Sequence, residues 1–77
     1  MQVEIMLFGQ LAEIAGTSKI TLQHIENTDS LKKKLHEMYP EMSNLSYSMA
    51  LNKKTIHQNT IFEGDANIAL LPPFSGG

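Results

Sequence analysis

The sequence predicts an α+β fold in which a mixed sheet is covered on one face by a single main helix. Three observations carry this expectation. Apolar residues alternate at the two ends of the chain, at Val3, Ile5 and Leu7 and again at Ile68 and Leu70, which is the period of strands with one buried face. Between them Leu31, Leu35 and Met38 recur at helical spacing after a cluster of capping residues. The order strand, strand, helix, strand, strand, packed in one layer with a helix on it, is the order of a β-grasp.

The first strand runs from Val3 to Phe8, with Gln2, Glu4 and Met6 on the face opposite Val3, Ile5 and Leu7. Gly9 to Gly16 holds Leu11, Ala12, Ile14 and Ala15 between two glycines, room for a helical turn or two that Gly16 would end. Ser18 to Ile25 alternates again, Ile20 and Leu22 against Thr21 and Gln23, giving an antiparallel partner to the first strand across a wide loop. Asn27, Thr28, Asp29 and Ser30 offer side-chain acceptors to the free amides that begin a helix, and Asp29 suits the positive end of its dipole. Leu31, Leu35 and Met38 then form the buried stripe, Lys32, Lys33, His36 and Glu37 face elsewhere, and Pro40 closes the element. Ser48 to Asn52 reads as a short strand through Met49 and Leu51, and Asn52-Lys53-Lys54 as a turn, because asparagine tolerates positive φ. A short edge strand is expected around Ile56, a turn at Glu63-Gly64-Asp65, and the last strand at Ala66 to Leu71.

Length and composition bound the function. The chain has 77 residues, no cysteine and a formal net charge of -2, which fits one small domain, residues 1–77, held by packing alone. Lack of cysteine suits a reducing compartment, and the opening Met1-Gln2-Val3-Glu4 has neither the basic nor the apolar stretch of a leader, so a cytoplasmic location away from membranes is expected. All six basic residues are lysines, so the bidentate arginine contacts that read phosphate and guanine are missing and nucleic acid is not the expected partner. The run Lys32-Lys33-Lys34 reads as a solvated helix face. His24, His36 and His57 lack ligand spacing, and no metal site or bound cofactor is expected. Glu13, Glu63 and Asp65 read as solvated loop acids.

The distinctive segment is Leu71-Pro72-Pro73-Phe74-Ser75-Gly76-Gly77. The two prolines remove amide donors, fix φ and push the preceding residue toward extended backbone, so the sheet should stop at Leu71 and residues 72–77 should form an extended, flexible tail. Such a tail would reach roughly 20 Å at about 3.3 Å per residue, enough to enter a cleft in another protein. Gly76 and Gly77 fit a slot too narrow for other residues, and the reactive group they offer is the carboxylate of Gly77. A carboxylate is a poor acyl donor until activated. Adenylation with ATP by a partner would supply a leaving group, and a sulfur donor could then leave a thiocarboxylate. If the first and last strands pair in parallel, Phe8 and Leu71 meet beside the root of this tail, with Met6 and Ala69 behind them and Phe74 ahead. They would form a partner-binding patch, or the loop from Gly9 to Gly16 would cover them.

Along essentially its whole length the chain resembles the small subunit of molybdopterin synthase, the MoaD family of ubiquitin-like sulfur carriers. The most specific match is Leu71 to Gly77, a strand, a double proline and a diglycine, with Phe74 where valine is more usual. Leu7 to Gly16 is similar to that family's first strand and following loop, with Ala12 where an arginine is often found. Leu51-Asn52 and Glu63-Gly64-Asp65 match weaker signatures. The resemblance implies that Gly77 is the reacting site, adenylated by an E1-like enzyme that uses ATP and thiocarboxylated by a sulfur donor protein. It further implies that the tail, Pro72, Pro73, Phe74, Ser75 and Gly76, inserts into the large subunit of molybdopterin synthase, as a heterotetramer, where sulfur passes to cyclic pyranopterin monophosphate to build a dithiolene. Catalytic side chains would then belong to the partners. A carrier for thiazole synthesis, a ubiquitin-like modifier that ends in isopeptide linkage, and a plain interaction module are the alternatives.

Overall fold

A computed structural model of the chain describes residues 2–72. Strands β1 (Gln2–Leu7), β2 (Lys19–Gln23), β3 (Ser48–Leu51), β4 (Lys54–Ile56) and β5 (Ala66–Leu71) form one five-stranded sheet in the order β2-β1-β5-β3-β4. The pairings are antiparallel except at the centre, where β1 and β5 run in parallel from Val3 opposite Ala66 to Leu7 opposite Leu70. Helix α1 (Gln10–Ala15) follows β1, and the main helix α2 (Thr28–Met38) joins the first hairpin to the second. This is the expected mixed sheet with one main helix, and it has the topology of a β-grasp.

Alternation along the two central strands decides which face is dry. Val3, Ile5 and Leu7 from β1, and Ala66, Ile68 and Leu70 from β5, are buried together with Met49 of β3, and Leu31 and Leu35 of α2 close over them. Asn27 caps α2, its side-chain oxygen accepting from the Ser30 amide at 2.8 Å. Gly16 ends α1 with φ 75° and returns its amide to the Ala12 carbonyl at 2.9 Å. The β3–β4 turn needs positive φ at Asn52 (48°) and Lys53 (74°); the Asn52 side chain accepts from the Asn67 amide, which ties the turn to β5.

Two features depart from the sequence expectation. Met38 lies at helical spacing from Leu35 but is 40% exposed, because α2 ends there and Tyr39 already has non-helical backbone. Met42 is instead fully buried, on a 3-10 helix at Pro40–Asn44. His36, placed on the polar face, is half-buried, with Nε2 2.8 Å from the Tyr47 hydroxyl.

The stretch between β4 and β5 holds the core's largest plug. Phe62 is buried while Ile61 beside it is 71% exposed. Backbone and side-chain hydrogen bonds fix that choice: the Phe62 amide donates to the Glu26 carbonyl, Thr28 N to Thr60 O, and Asn59 Oδ1 accepts from both the Asp29 amide and the Thr28 hydroxyl. Among the described residues no helix is long and apolar enough to cross a membrane.

Candidate functional site: the sheet end that launches the C-terminal segment

Parallel pairing of β1 with β5 means that both strands finish at the same end of the sheet. The register that sets Leu7 opposite Leu70 brings Phe8 to the level of Leu71, at the last position before Pro72. Phe8 is 41% exposed, so the loop and helix that follow it do not cover it, and Leu71 beside it is half-buried. One step back along the same face, Met6 (47% exposed) is paired with Ala69, and Ala69 with Ala50 of β3. On the side away from α2, the apolar row Met6, Ala69 and Ala50 therefore crosses three strands, and Phe8 and Leu71 lie beside it.

The row of Met6, Ala69 and Ala50 lines a shallow concavity of about 360 Å³, floored by Ala50 and Ala69 and walled by Met6, with Asn52, Lys53 and Asn67 at its rim. Small residues at positions 50 and 69 let the floor sit low, and the thioether of Met6 stands above it. Toward the β2 edge the face turns polar, where Lys19 and Glu4 pair at 2.9 Å on the surface. The face is thus apolar at the centre and charged at one side, the usual layout of a protein contact surface.

Pro72 is half-buried and sits against the turn that ends β1, close to the Gly9 backbone. Gly9 holds φ 58° and ψ -132°, a conformation open to glycine and strained for a residue with a side chain. Of the residues expected to form the partner-binding site, Phe8, Leu71 and Pro72 are thus together at one end of the sheet. Pro73, Phe74, Ser75, Gly76 and the expected reacting residue Gly77 lie outside the described residues. Sequence reasoning missed Gly9 and Ala50. The signal for Ala50 was a small residue between Met49 and Leu51 in a strand whose other face is buried.

Elsewhere, a polar recess of about 200 Å³ between α2 and the β3–β4 hairpin is lined by Thr28, Lys32, Tyr47, Ser48 and His57. It touches the tail root only through Ser48, which is paired with Leu71, and no three His, Asp or Glu side chains among the described residues gather as a metal-binding set.

Solved structures share this architecture over nearly their full lengths. The small archaeal modifier protein 1 of Methanosarcina acetivorans matches with a TM-score of 0.85 and 25% identity, covering 99% of this chain and 96% of that one. A Pyrococcus furiosus protein assigned as molybdopterin converting factor subunit 1 matches with a TM-score of 0.86 and 12% identity, over 96% of this chain and 99% of that one. The Haloferax volcanii modifier protein 1 matches with a TM-score of 0.83 and 21% identity, and each chain is covered completely. The last two are likenesses of fold. In sequence, residues 5–77 match the model of the ThiS family, a span that takes in the end of β1, the sheet end with Phe8, Leu71 and Pro72, and the diglycine, and the chain belongs to that family.

Proposed function

We propose that the chain is a sulfur carrier that works through the carboxyl group of Gly77, as the small subunit of a molybdopterin synthase. The observation that carries this reading is the parallel β1–β5 pairing, which delivers Leu71 and Pro72 beside exposed Phe8, five residues from Gly77. Membership of the ThiS family over residues 5–77 supports it. A Gly77 carboxylate oxygen attacks the α-phosphorus of ATP in an E1-like partner, and pyrophosphate leaves. A persulfide of a donor protein then attacks the acyl carbon, AMP leaves, and a thiol cleaves the resulting acyl disulfide, so that a thiocarboxylate is released and the donor's sulfur ends in a disulfide with that thiol. In the large subunit the thiocarboxylate sulfur bonds to a carbon of cyclic pyranopterin monophosphate as an oxygen substituent leaves that carbon, and water cleaves the resulting acyl–sulfur bond to return the carboxylate. Two such transfers supply both dithiolene sulfurs. ATP is consumed by the activating partner, and the carrier itself holds no cofactor.

A second reading, a ubiquitin-like modifier, is favoured by the M. acetivorans protein, whose description is that of a modifier and which aligns over nearly its whole length at 25% identity. There the acyl adenylate would pass to a lysine amine, forming an isopeptide bond. Intact mass spectrometry separates the two. After incubation with the E1-like enzyme, ATP and a sulfur donor, replacement of one oxygen by sulfur marks the carrier, and lysine-linked adducts of higher mass mark the modifier. No mass change under either condition overturns both. Deleting Gly77 is expected to abolish the sulfur gain while leaving the thermal melt unchanged, since the core lies within residues 3–70.

A further inference from the structure

Gly9 lies against the root of the C-terminal segment. A Cβ placed on Gly9 would stand 3.0 Å from Pro72 Cγ, 3.7 Å from Cβ and 3.9 Å from Cδ, so the glycine presents a bare hydrogen to the proline ring. The first of these separations is shorter than a carbon–carbon van der Waals contact of about 3.5 to 4.0 Å.

The backbone is held on both sides of this contact. The Gly9 carbonyl accepts from the Ala12 and Glu13 amides at 3.1 and 3.3 Å, and the Phe8 carbonyl accepts from the Leu11 amide at 3.2 Å. Leu11 is buried, which pins α1 to the core, and the Leu7 amide donates to the Ser18 carbonyl at 2.9 Å. On the other side, Leu71 is paired with Ser48, and the ring of Pro72 fixes its own φ. The rotation left between the last paired residue and the ring is ψ of Leu71. Whatever bears on the ring therefore sets the direction in which the chain leaves the sheet.

We infer that Gly9 is a positioning residue that sets the exit direction of the C-terminal segment by giving the Pro72 ring a flat wall to lie on. The inference rests on the reading of Gly77 as the reacting residue, and it assigns to Gly9 a role in presentation with no contact to ATP, sulfur or acceptor. Because Phe8, Met6 and the apolar face are untouched by a methyl at position 9, docking of the body should persist while delivery of the tail fails. Gly9→Ala should thus lower kcat for adenylation and leave KM for the carrier close to wild type. A misplacement of this kind costs on the order of 10- to 100-fold in rate.

The test measures ATP–pyrophosphate exchange by the E1-like enzyme with four full-length carriers: wild type, Gly9→Ala, Pro72→Ala and the double substitution. In the wild type, a nuclear Overhauser contact between the Gly9 α-protons and the Pro72 ring is expected. Gly9→Ala should lose most of kcat with an unchanged sheet amide spectrum, and the double substitution, which removes Pro72 Cγ and Cδ, should recover activity relative to Gly9→Ala. Wild-type kcat in Gly9→Ala, or a double substitution no better than Gly9→Ala, overturns the inference. If Gly9→Ala does not fold, its φ of 58° being strained for alanine, Pro72→Ala on the wild-type glycine decides alone: a lowered kcat with KM unchanged supports the wall, and wild-type kcat refutes it. Absence of exchange with the wild type would instead sink the carrier reading itself, so the two failures are told apart.

Discussion

Phe8 and Phe62 are both aromatic, and the fold uses them oppositely. Phe8 follows the last paired residue of β1 and keeps 41% of its surface open beside Leu71, whereas Phe62 is 2% exposed. Phe8→Asp is therefore expected to weaken binding of the large-subunit partner by about 2 kcal/mol, roughly 30-fold, as for an aromatic anchor near an interface centre. Calorimetric titration against that subunit, with the melt essentially unmoved, checks it. Phe62→Ala should lower unfolding stability by about 3 to 5 kcal/mol through the cavity it leaves, read from urea denaturation. Phe8 was legible because strand alternation puts it on the outward face with Met6. Phe62 was not, because Ile61-Phe62-Glu63 shows neither helical nor strand periodicity. Its burial is decided by hydrogen bonds from Phe62 to Glu26 and between Thr60 and Thr28, each across more than thirty positions.

At the scale of elements, β1, β2, β5 and the start of α2 could be read from the sequence, because each carries its own signal: alternation for the strands, and Asn27 ahead of Thr28-Asp29-Ser30 for the helix cap. The end of α2 could not. Its 3.6-residue stripe includes Met38, and only the break at Tyr39 and the inward turn of Met42 show that the stripe stops at Leu35. The junction of α2 with the chain entering β3 is made by His36 and Tyr47, whose rings meet edge-on with centroids 6.1 Å apart and share the 2.8 Å hydrogen bond. Burial pushes the Tyr47 hydroxyl above its ordinary value of 10.0. Above pH about 10 the unfolded chain releases a proton that the folded chain retains, so this contribution is complete below that pH and is lost as pH rises through the folded value. Thermal melts should therefore fall on the alkaline side, and Tyr47→Phe should make that fall shallower. An unchanged alkaline slope in the variant would remove Tyr47 as its source.

For the molecule as a whole, strand order predicts how it opens. β1 and β5 are flanked on both sides, while β4 is a three-residue edge. Amide hydrogen exchange should be slowest in β1 and β5 and fastest in β4 and the loop around Gln58, and equal protection across the sheet would contradict this. The architecture was legible from the order of elements, and the sheet end with Phe8 and Leu71 followed from it. The Gly9 approach to Pro72 was not, because a close contact between residues so far apart in sequence leaves no periodic trace.

The parallel pair at the centre also bears on how the protein is made. Val3 is matched with Ala66, so the strand synthesised first waits for the strand synthesised last, and β3 has no neighbour on its β1 side until β5 arrives. Folding that depends on so distant a partner is slow to close. A chain interrupted before β5 lacks the sheet's middle and, with it, the meeting of Phe8 with Leu71 at the sheet end. The surface expected to meet the activating enzyme is assembled only by the finished sheet, which makes completion of synthesis a built-in condition for entering the reaction.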